Sequence, residues 1–296
     1  QKWLFLGFFI AFAIKAPLWP FHTWLPDAAR EATPATAVLL IGVLDKVGTF
    51  GMIRYLLPIF PAASQWFAPL VIALAVIGIV YGALVALGQS DMKRLFAYSS
   101  MSHFGFIALG IFVFTSQGMS GSVFYMVAHG LSTAALFITG GYLMQRRGGS
   151  SLISDYGGVA KVTPILGGFF MFAALSALAL PAMAPFIGEF LVLLGTFERY
   201  IVVAVIATLG IVLSAAYALR VYQKTMTGPA APGIEGMKDL GGREFTSLFP
   251  VVALTLVLGV IPSIALHTIN PAVDRTLTTV GVTDPQPQTA GGEVQP

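Results

Sequence analysis

The sequence predicts an all-α fold: a polytopic membrane helical bundle of about eight transmembrane spans, two of them discontinuous. Three observations predict it. Hydrophobic residues make up 56% of the chain and charged residues only 10%, with a mean hydropathy of +0.84, whereas a soluble domain carries about 25% charged residues. Apolar runs near the roughly 20-residue spanning length recur almost end to end. The basic residues outside those runs fall mainly into alternate loops, as they do in membrane proteins.

The runs are expected at about 3–20, 35–57, 67–88, 93–114, 120–145, 162–198, 200–226 and 246–268. The first opens at Gln1 without a Met and leads to Lys15 and Pro17 rather than to a small-residue cleavage site. It reads as a span and not a signal peptide, and the true start is expected upstream. The first and sixth runs are interrupted by paired prolines closed by Phe, "IKAPLWPF" at 14–21 and "ALPAMAPFIGEF" at 179–190. Proline removes a backbone donor and clashes with the preceding turn, so each is a candidate broken helix, and the likeness between them points to a weak internal repeat. Non-helical backbone at membrane depth is tolerated only inside protein or beside water, and broken helices in related positions point to a transport site. The second run holds "LLIGVLDKVGTFGM", in which Asp45 and Lys46 stand side by side. Asp91 in "QSDMKRLF" starts the fourth run, acid first, and His22 falls in a polar loop between the first two. Residues 1–268 thus form the bundle, and 269–296, polar and rich in Pro, Gly, Thr and Gln, are expected to be a disordered tail.

Threaded through these spans, one side receives Arg30, Lys93, Arg94, Arg146, Arg147, Lys161, Arg220, Lys224, Lys238 and Arg243. The other receives Lys2, Arg54, Arg199 and Arg275. The richer side is expected to be cytoplasmic, which puts both ends of the chain on the outer side. The chain has no cysteine, which excludes disulfides and thiolate metal or iron–sulfur sites within it.

The ionisable residues inside the spans are Lys15, Asp45, Lys46, His103, His129 and Glu189. At about 1.5 Å per residue, Lys46, His103 and His129 each lie about nine to eleven residues from a membrane face, and Lys15 and Glu189 flank the two breaks. The set is expected to form a row in the membrane midplane. An ionisable group at the bilayer centre costs roughly 2.5–3.5 kcal/mol on insertion scales, so such residues read as an ion or proton pathway. Local readings compete with this. Lys15 could snorkel, Glu189 could cap the helix after its break, and each histidine could be a packing residue. Asp45 points about 100° away from Lys46, need not touch it, and could be a helix-packing partner. Three functions follow from the set. One is a proton-translocating module. The second is a haem carrier with His103 and His129 as axial ligands, which leaves Lys15, Lys46 and Glu189 unexplained. The third is a solute transporter, for which no polar substrate pocket is evident.

The stretches "FFIAFAIKAPLWPFHTWLPDAAREATPATAVLLIGVLDKVGTFGMIRY", "DMKRLFAYSSMSHFGFIALGIF", "YMVAHGLSTAALFITGGYL" and "LPAMAPFIGEFLVLLGTF" closely resemble the subunit M (chain 4) family of respiratory complex I, the proton-pumping NADH-quinone oxidoreductase. These are antiporter-like proteins, a group shared with Mrp-type cation/proton antiporters and membrane-bound hydrogenases. The resemblance implies a larger bundle of fourteen spans with inverted repeats, of which this chain looks like the last eight. It implies a proton relay of Lys15, Lys46, His103, His129 and Glu189, with Lys15 at the first break and Glu189 leading outward; the related subunit L has lysine at the latter position. It also implies that this chain holds no cofactor of its own. NADH, FMN, iron–sulfur clusters and quinone belong to partner subunits, neighbouring antiporter-like subunits lie beside it in a bacterial inner membrane, and no nucleic acid is involved. An Mrp antiporter subunit or the membrane subunit of an energy-converting hydrogenase is the alternative. Two positions depart from the family pattern: Ala29 stands where His is common, and Asp45 where an apolar residue is common. The glutamate that partners the first lysine in the family lies on an upstream helix outside this sequence.

Overall fold

Helices follow the apolar runs in a computed structural model that describes residues 1–285. The first run is broken as the prolines require, into α1 (Lys2–Lys15) and α2 (Trp24–Glu31). Next come α3 (Pro34–Ile59), α4 (Pro61–Gly88), α5 (Met92–Phe112) and α6 (Ser116–Arg146). The sixth run is broken into α7 (Pro164–Ala177) and α8 (Ala184–Arg199). It is followed by α9 (Ile201–Met226), α10 (Gly242–Val260) and α11 (Ser263–Val280). Among the described residues six helices are long and apolar enough to cross a membrane, and α1–α2 and α7–α8 are interrupted.

Local signals account for the helix starts. Thr33 accepts a hydrogen bond from Thr36 N, with Pro34 at the first helical position of α3. Asp91 accepts from Arg94 N at 2.9 Å to cap α5, as its acid-first sequence indicates, and Thr115 caps α6 through Gly118 N. The two breaks share a bonding pattern. In the first, Leu18 N reaches back to Ala13 O and Phe21 N to Leu18 O; in the second, Leu180 N reaches Leu175 O and Met183 N reaches Leu180 O. Each pairs a five-residue with a three-residue reach, which supports the internal repeat. The second break also holds Ala179 (φ 57) and Ala182 (φ 77) in left-handed backbone, a conformation costly for alanine and frequent at functional sites.

The helix α5 is the central column. Of its spanning window 94% is buried, against 33% for α9 and 17% for α10, which leave most of their surface for lipid. At one end of the bundle Arg94 pairs with Asp27 and Arg146 with Glu244, Lys93 donates to Arg30 O, and Asp239 accepts from Ile165 N and Leu166 N at the start of α7. At the other end Gln65 donates to Val280 O, Arg199 to Thr283 O, and Ser116 N to Asp284.

One expectation needs correction. The tail does not begin at residue 269, because α11 runs on to Val280 and closes at Gly281 (φ 79). It buries Val273, Leu277 and Val280, a spacing that makes one apolar stripe on a polar helix. Hydropathy summed over all faces therefore misses it; residues 286–296 lie outside the described residues. His22 lies in the connection between the first two helices, as expected, but is buried there. The chain turns inward between α1 and α2, and His22 is buried edge-on to the rings of Tyr81 and Tyr98.

Candidate functional site

The helix α3 departs from α geometry where its charges begin. Residues Leu40–Leu44 form a π turn, in which Asp45 N reaches Leu40 O at 3.1 Å; such turns disturb the hydrogen-bond ladder and recur at functional sites. Within it, Ile41 O accepts from Lys46 Nζ at 2.7 Å. The same ammonium lies 2.7 Å from His129 Nδ1 on α6 and 5.0 Å from the Phe104 ring centroid. Because a lysine ammonium only donates, Nδ1 must accept, which puts the proton of a neutral His129 on Nε2. That nitrogen lies 3.0 Å from Ser100 Oγ and 3.2 Å from Thr133 Oγ1, both able to accept it.

A second cluster sits one ring away. The His103 and His129 ring centroids are 5.4 Å apart. Tyr125 donates its hydroxyl proton to Glu189 Oε1 at 2.5 Å, and its oxygen lies 2.6 Å from His103 Nδ1. The phenol has one proton to give, so His103 Nδ1 carries a hydrogen and donates it to the phenol oxygen. His103 Nδ1 is also 3.3 Å from Glu189 Oε1, while Tyr217 lies 3.2 Å from His103 Nε2. Glu189 is the sixth residue of α8, whose N-cap position is Met183. It turns inward to this cluster and does not cap the helix. Gly188 makes the approach possible: a Cβ there would meet Tyr125 Cβ at 2.5 Å.

Lys46 is 9% exposed, His103 5%, His129 1% and Glu189 2%, so bulk water is excluded and neighbouring side chains supply the partners. The structure brings these four residues into one row across α3, α6, α5 and α8. Lys15 stands at its edge. Its Nζ is 4.0 Å from Asp45 Oδ1, with the Lys15 side chain 38% exposed. Sequence reasoning missed Tyr125, Tyr217, Ser100 and Thr133. Tyr125 had a usable signal, since it precedes His129 by one helical turn and a buried phenol needs a hydrogen-bond partner. All four ring nitrogens of His103 and His129 have partners within this row. Two hydrogen-bonded clusters 5.4 Å apart at their histidine rings form a row of groups that can take up and give protons.

Comparison with known proteins agrees with this architecture. The chain is 61% identical over 289 residues to NADH-quinone oxidoreductase subunit M of Mycobacterium tuberculosis, covering 98% of this chain and 52% of the relative. The chain thus spans about half the length of the curated relatives it matches. Among solved structures, respiratory complex I from Thermus thermophilus with bound NADH contains a chain of similar fold. The TM-score is 0.88 at 36% identity, over 95% of this chain and 59% of that one. The Mrp complex from Dietzia sp. DQ12-45-1b has a TM-score of 0.81 at 20% identity over 92% of this chain and 60% of its counterpart, a likeness of fold alone. The apolar helices and these likenesses make the chain a multi-pass membrane protein. A family model described as NADH:quinone oxidoreductase/Mrp antiporter, TM, matches residues 1–214, and the chain belongs to that family.

Proposed function

We propose that this chain carries the output half of a proton-translocating membrane subunit of an NADH-quinone oxidoreductase. The observation that carries the reading is the buried row from Lys46 through His129 and His103 to Glu189, hydrogen-bonded at both ends and with the two imidazole rings 5.4 Å apart between them. A proton leaves the Lys46 ammonium for His129 Nδ1 as His129 gives up its Nε2 proton. It crosses the interval to His103 by ring rotation or an intervening water. His103 then passes its Nδ1 proton to Glu189 Oε1, directly or through the Tyr125 hydroxyl, and protonated Glu189 releases it toward the outer side. Histidine suits both middle positions, because an imidazole can accept at one ring nitrogen while it donates from the other. Lys15 responds to charge arriving from a neighbouring unit.

The redox chemistry belongs to other subunits, which hold the NADH, FMN, iron–sulfur and quinone sites. Neighbouring antiporter-like subunits flank this one in a bacterial inner membrane. The basic end of the bundle, with Arg94 and Arg146, faces the cytoplasm, so the first residues and α11 lie on the outer side. The 61% identity to a protein named NADH-quinone oxidoreductase subunit M favours this assembly over an Mrp antiporter or an energy-converting hydrogenase. Copurification with an NADH-oxidising module tests that choice.

Replacement of Lys46 by Met in the complete complex tests the relay. The expected result is loss of proton transfer per electron with assembly retained, and an unchanged ratio would falsify the assignment. Glu189→Gln should impair pumping more than assembly; equal loss of both would mark Glu189 as structural.

A further inference from the structure

We propose that Asp45 is the positioning residue through which Lys15 controls Lys46, an inference that rests on the relay reading of Lys46. Asp45 is fully buried, and neither of its carboxylate oxygens has a hydrogen-bond partner. A buried carboxylate without hydrogen bonds is costly, and only nearby charge can offset it. Two cations flank it: Lys15 at 4.0 Å, and Lys46, its neighbour in the chain.

The two lysines are held differently. Lys46 is fixed by bonds to Ile41 O and His129 Nδ1. Lys15 ends α1 at the helix break and is 38% exposed, and 4.0 Å is an ion-pair separation rather than a hydrogen bond. Asp45 is thus the fixed anion between an anchored cation and one that, among the described residues, no hydrogen bond holds. The close approach behind this is built into the backbone, for a Cβ on Gly48 would meet Phe12 O and Ala16 N at 2.6 Å, so α3 rests directly on the end of α1.

The consequence is a switch in local charge. With Lys15 beside it, the Asp45 carboxylate is largely neutralised, and Lys46 stands next to little net negative charge. With Lys15 withdrawn, the whole field of the carboxylate falls on Lys46 and holds its ammonium charge in place. Return of Lys15 cancels that field and frees the Lys46 proton for His129. The other ionisable groups facing this region are His129 and Tyr125 on α6, His103 on α5 and Glu189 on α8, all on the far side of Lys46 along the row. Only Asp45 contacts Lys15 as an ion pair among the described residues.

The test uses the complete complex in native membranes, with proton transfer per electron and assembly measured together. Asp45→Asn is expected to lower the ratio with assembly intact. Asp45→Glu should restore it, which a packing role would not require. In a Lys15→Met background, Asp45→Asn should have no further effect, because the two residues act as one unit. A full ratio in D45N, a D45E variant as impaired as D45N, or additive losses in the double variant would each overturn the proposal. So would a D45N chain that fails to assemble where K15M assembles, which would mark Asp45 as a packing group. Lys46→Met separates the two readings: a full ratio in K46M removes the relay itself, whereas loss in K46M with a full ratio in D45N removes only the role of Asp45.

Discussion

Replacing Tyr125 by Phe removes one oxygen from the buried row and leaves the ring that packs between α6 and α8. The lost hydroxyl donates to Glu189 Oε1 at 2.5 Å and lies 2.6 Å from His103 Nδ1. Glu189 would keep only the direct His103 contact at 3.3 Å, because its Oε2 is already buried without a partner. A hydrogen bond to a charged group contributes about 1.5–3 kcal/mol. Taking about 2 kcal/mol, and about 1.4 kcal/mol per tenfold in rate, the step that loads Glu189 should slow by about 30-fold. Proton uptake by inside-out vesicles, read against electron flow in the same sample, measures this, and native electrophoresis checks assembly. Tyr217→Phe is the internal comparison. Its contact with His103 Nε2 is longer, at 3.2 Å, and a neutral bond contributes only about 1 kcal/mol, so the slowing should be several-fold at most. Full rate and full ratio in Y125F would refute the reasoning, since protons would then reach Glu189 without the phenol.

Two further substitutions probe the frame that holds the row. Gly188→Ala would drive a methyl group into Tyr125 Cβ at 2.5 Å and Cα at 2.9 Å, so thermal stability in detergent should fall by about 1–3 kcal/mol. Gly7→Ala has nothing within 4 Å and should be neutral or stabilising by up to about 1 kcal/mol; equal behaviour of the two would refute the close approach. Arg146 bonds Lys238 O at 2.6 Å, Asp239 O at 3.1 Å and Glu244 at 2.6 Å from the end of α6. Arg146→Lys cannot reproduce that planar fork, and hydrogen exchange in residues 238–247 should rise; unchanged protection there would show that α10 is held by its apolar contacts alone.

Much of this architecture was legible because lipid simplifies the pattern that a sequence must write. Apolar length marked the spans, paired prolines marked both breaks, and Lys46, His103, His129 and Glu189 stood out as expensive residues in apolar runs. The missed features depend on helix azimuth, which hydropathy does not carry. Tyr125 and Tyr217 look ordinary in a span until rotation of α6 and α9 turns them onto His103. Asp45 is adjacent to Lys46 in the chain, but its ion-pair partner is Lys15, on a helix whose end is set by the first break. The amphipathic α11 escaped for the same reason.

The breaks themselves link chain chemistry to the charges. Each ends one helix and starts another near the middle of the bundle, leaving backbone dipole ends that protein groups or water must satisfy. Lys15 is the last residue of α1, at the end of a helix that favours a cation, and Glu189 lies near the start of α8, at the end that favours an anion. The dipole effect fades within the first or last turn, so it acts strongly on Lys15 and weakly on Glu189, the sixth residue of its helix. Glu189 has Tyr125 and His103 to make up the difference, whereas among the described residues Lys15 has the helix end, a carboxylate 4.0 Å away and the Trp24 ring centroid at 5.7 Å. Among the described residues Lys15 is thus held by the helix end, the Asp45 charge and the Trp24 ring, with no hydrogen bond to fix its ammonium.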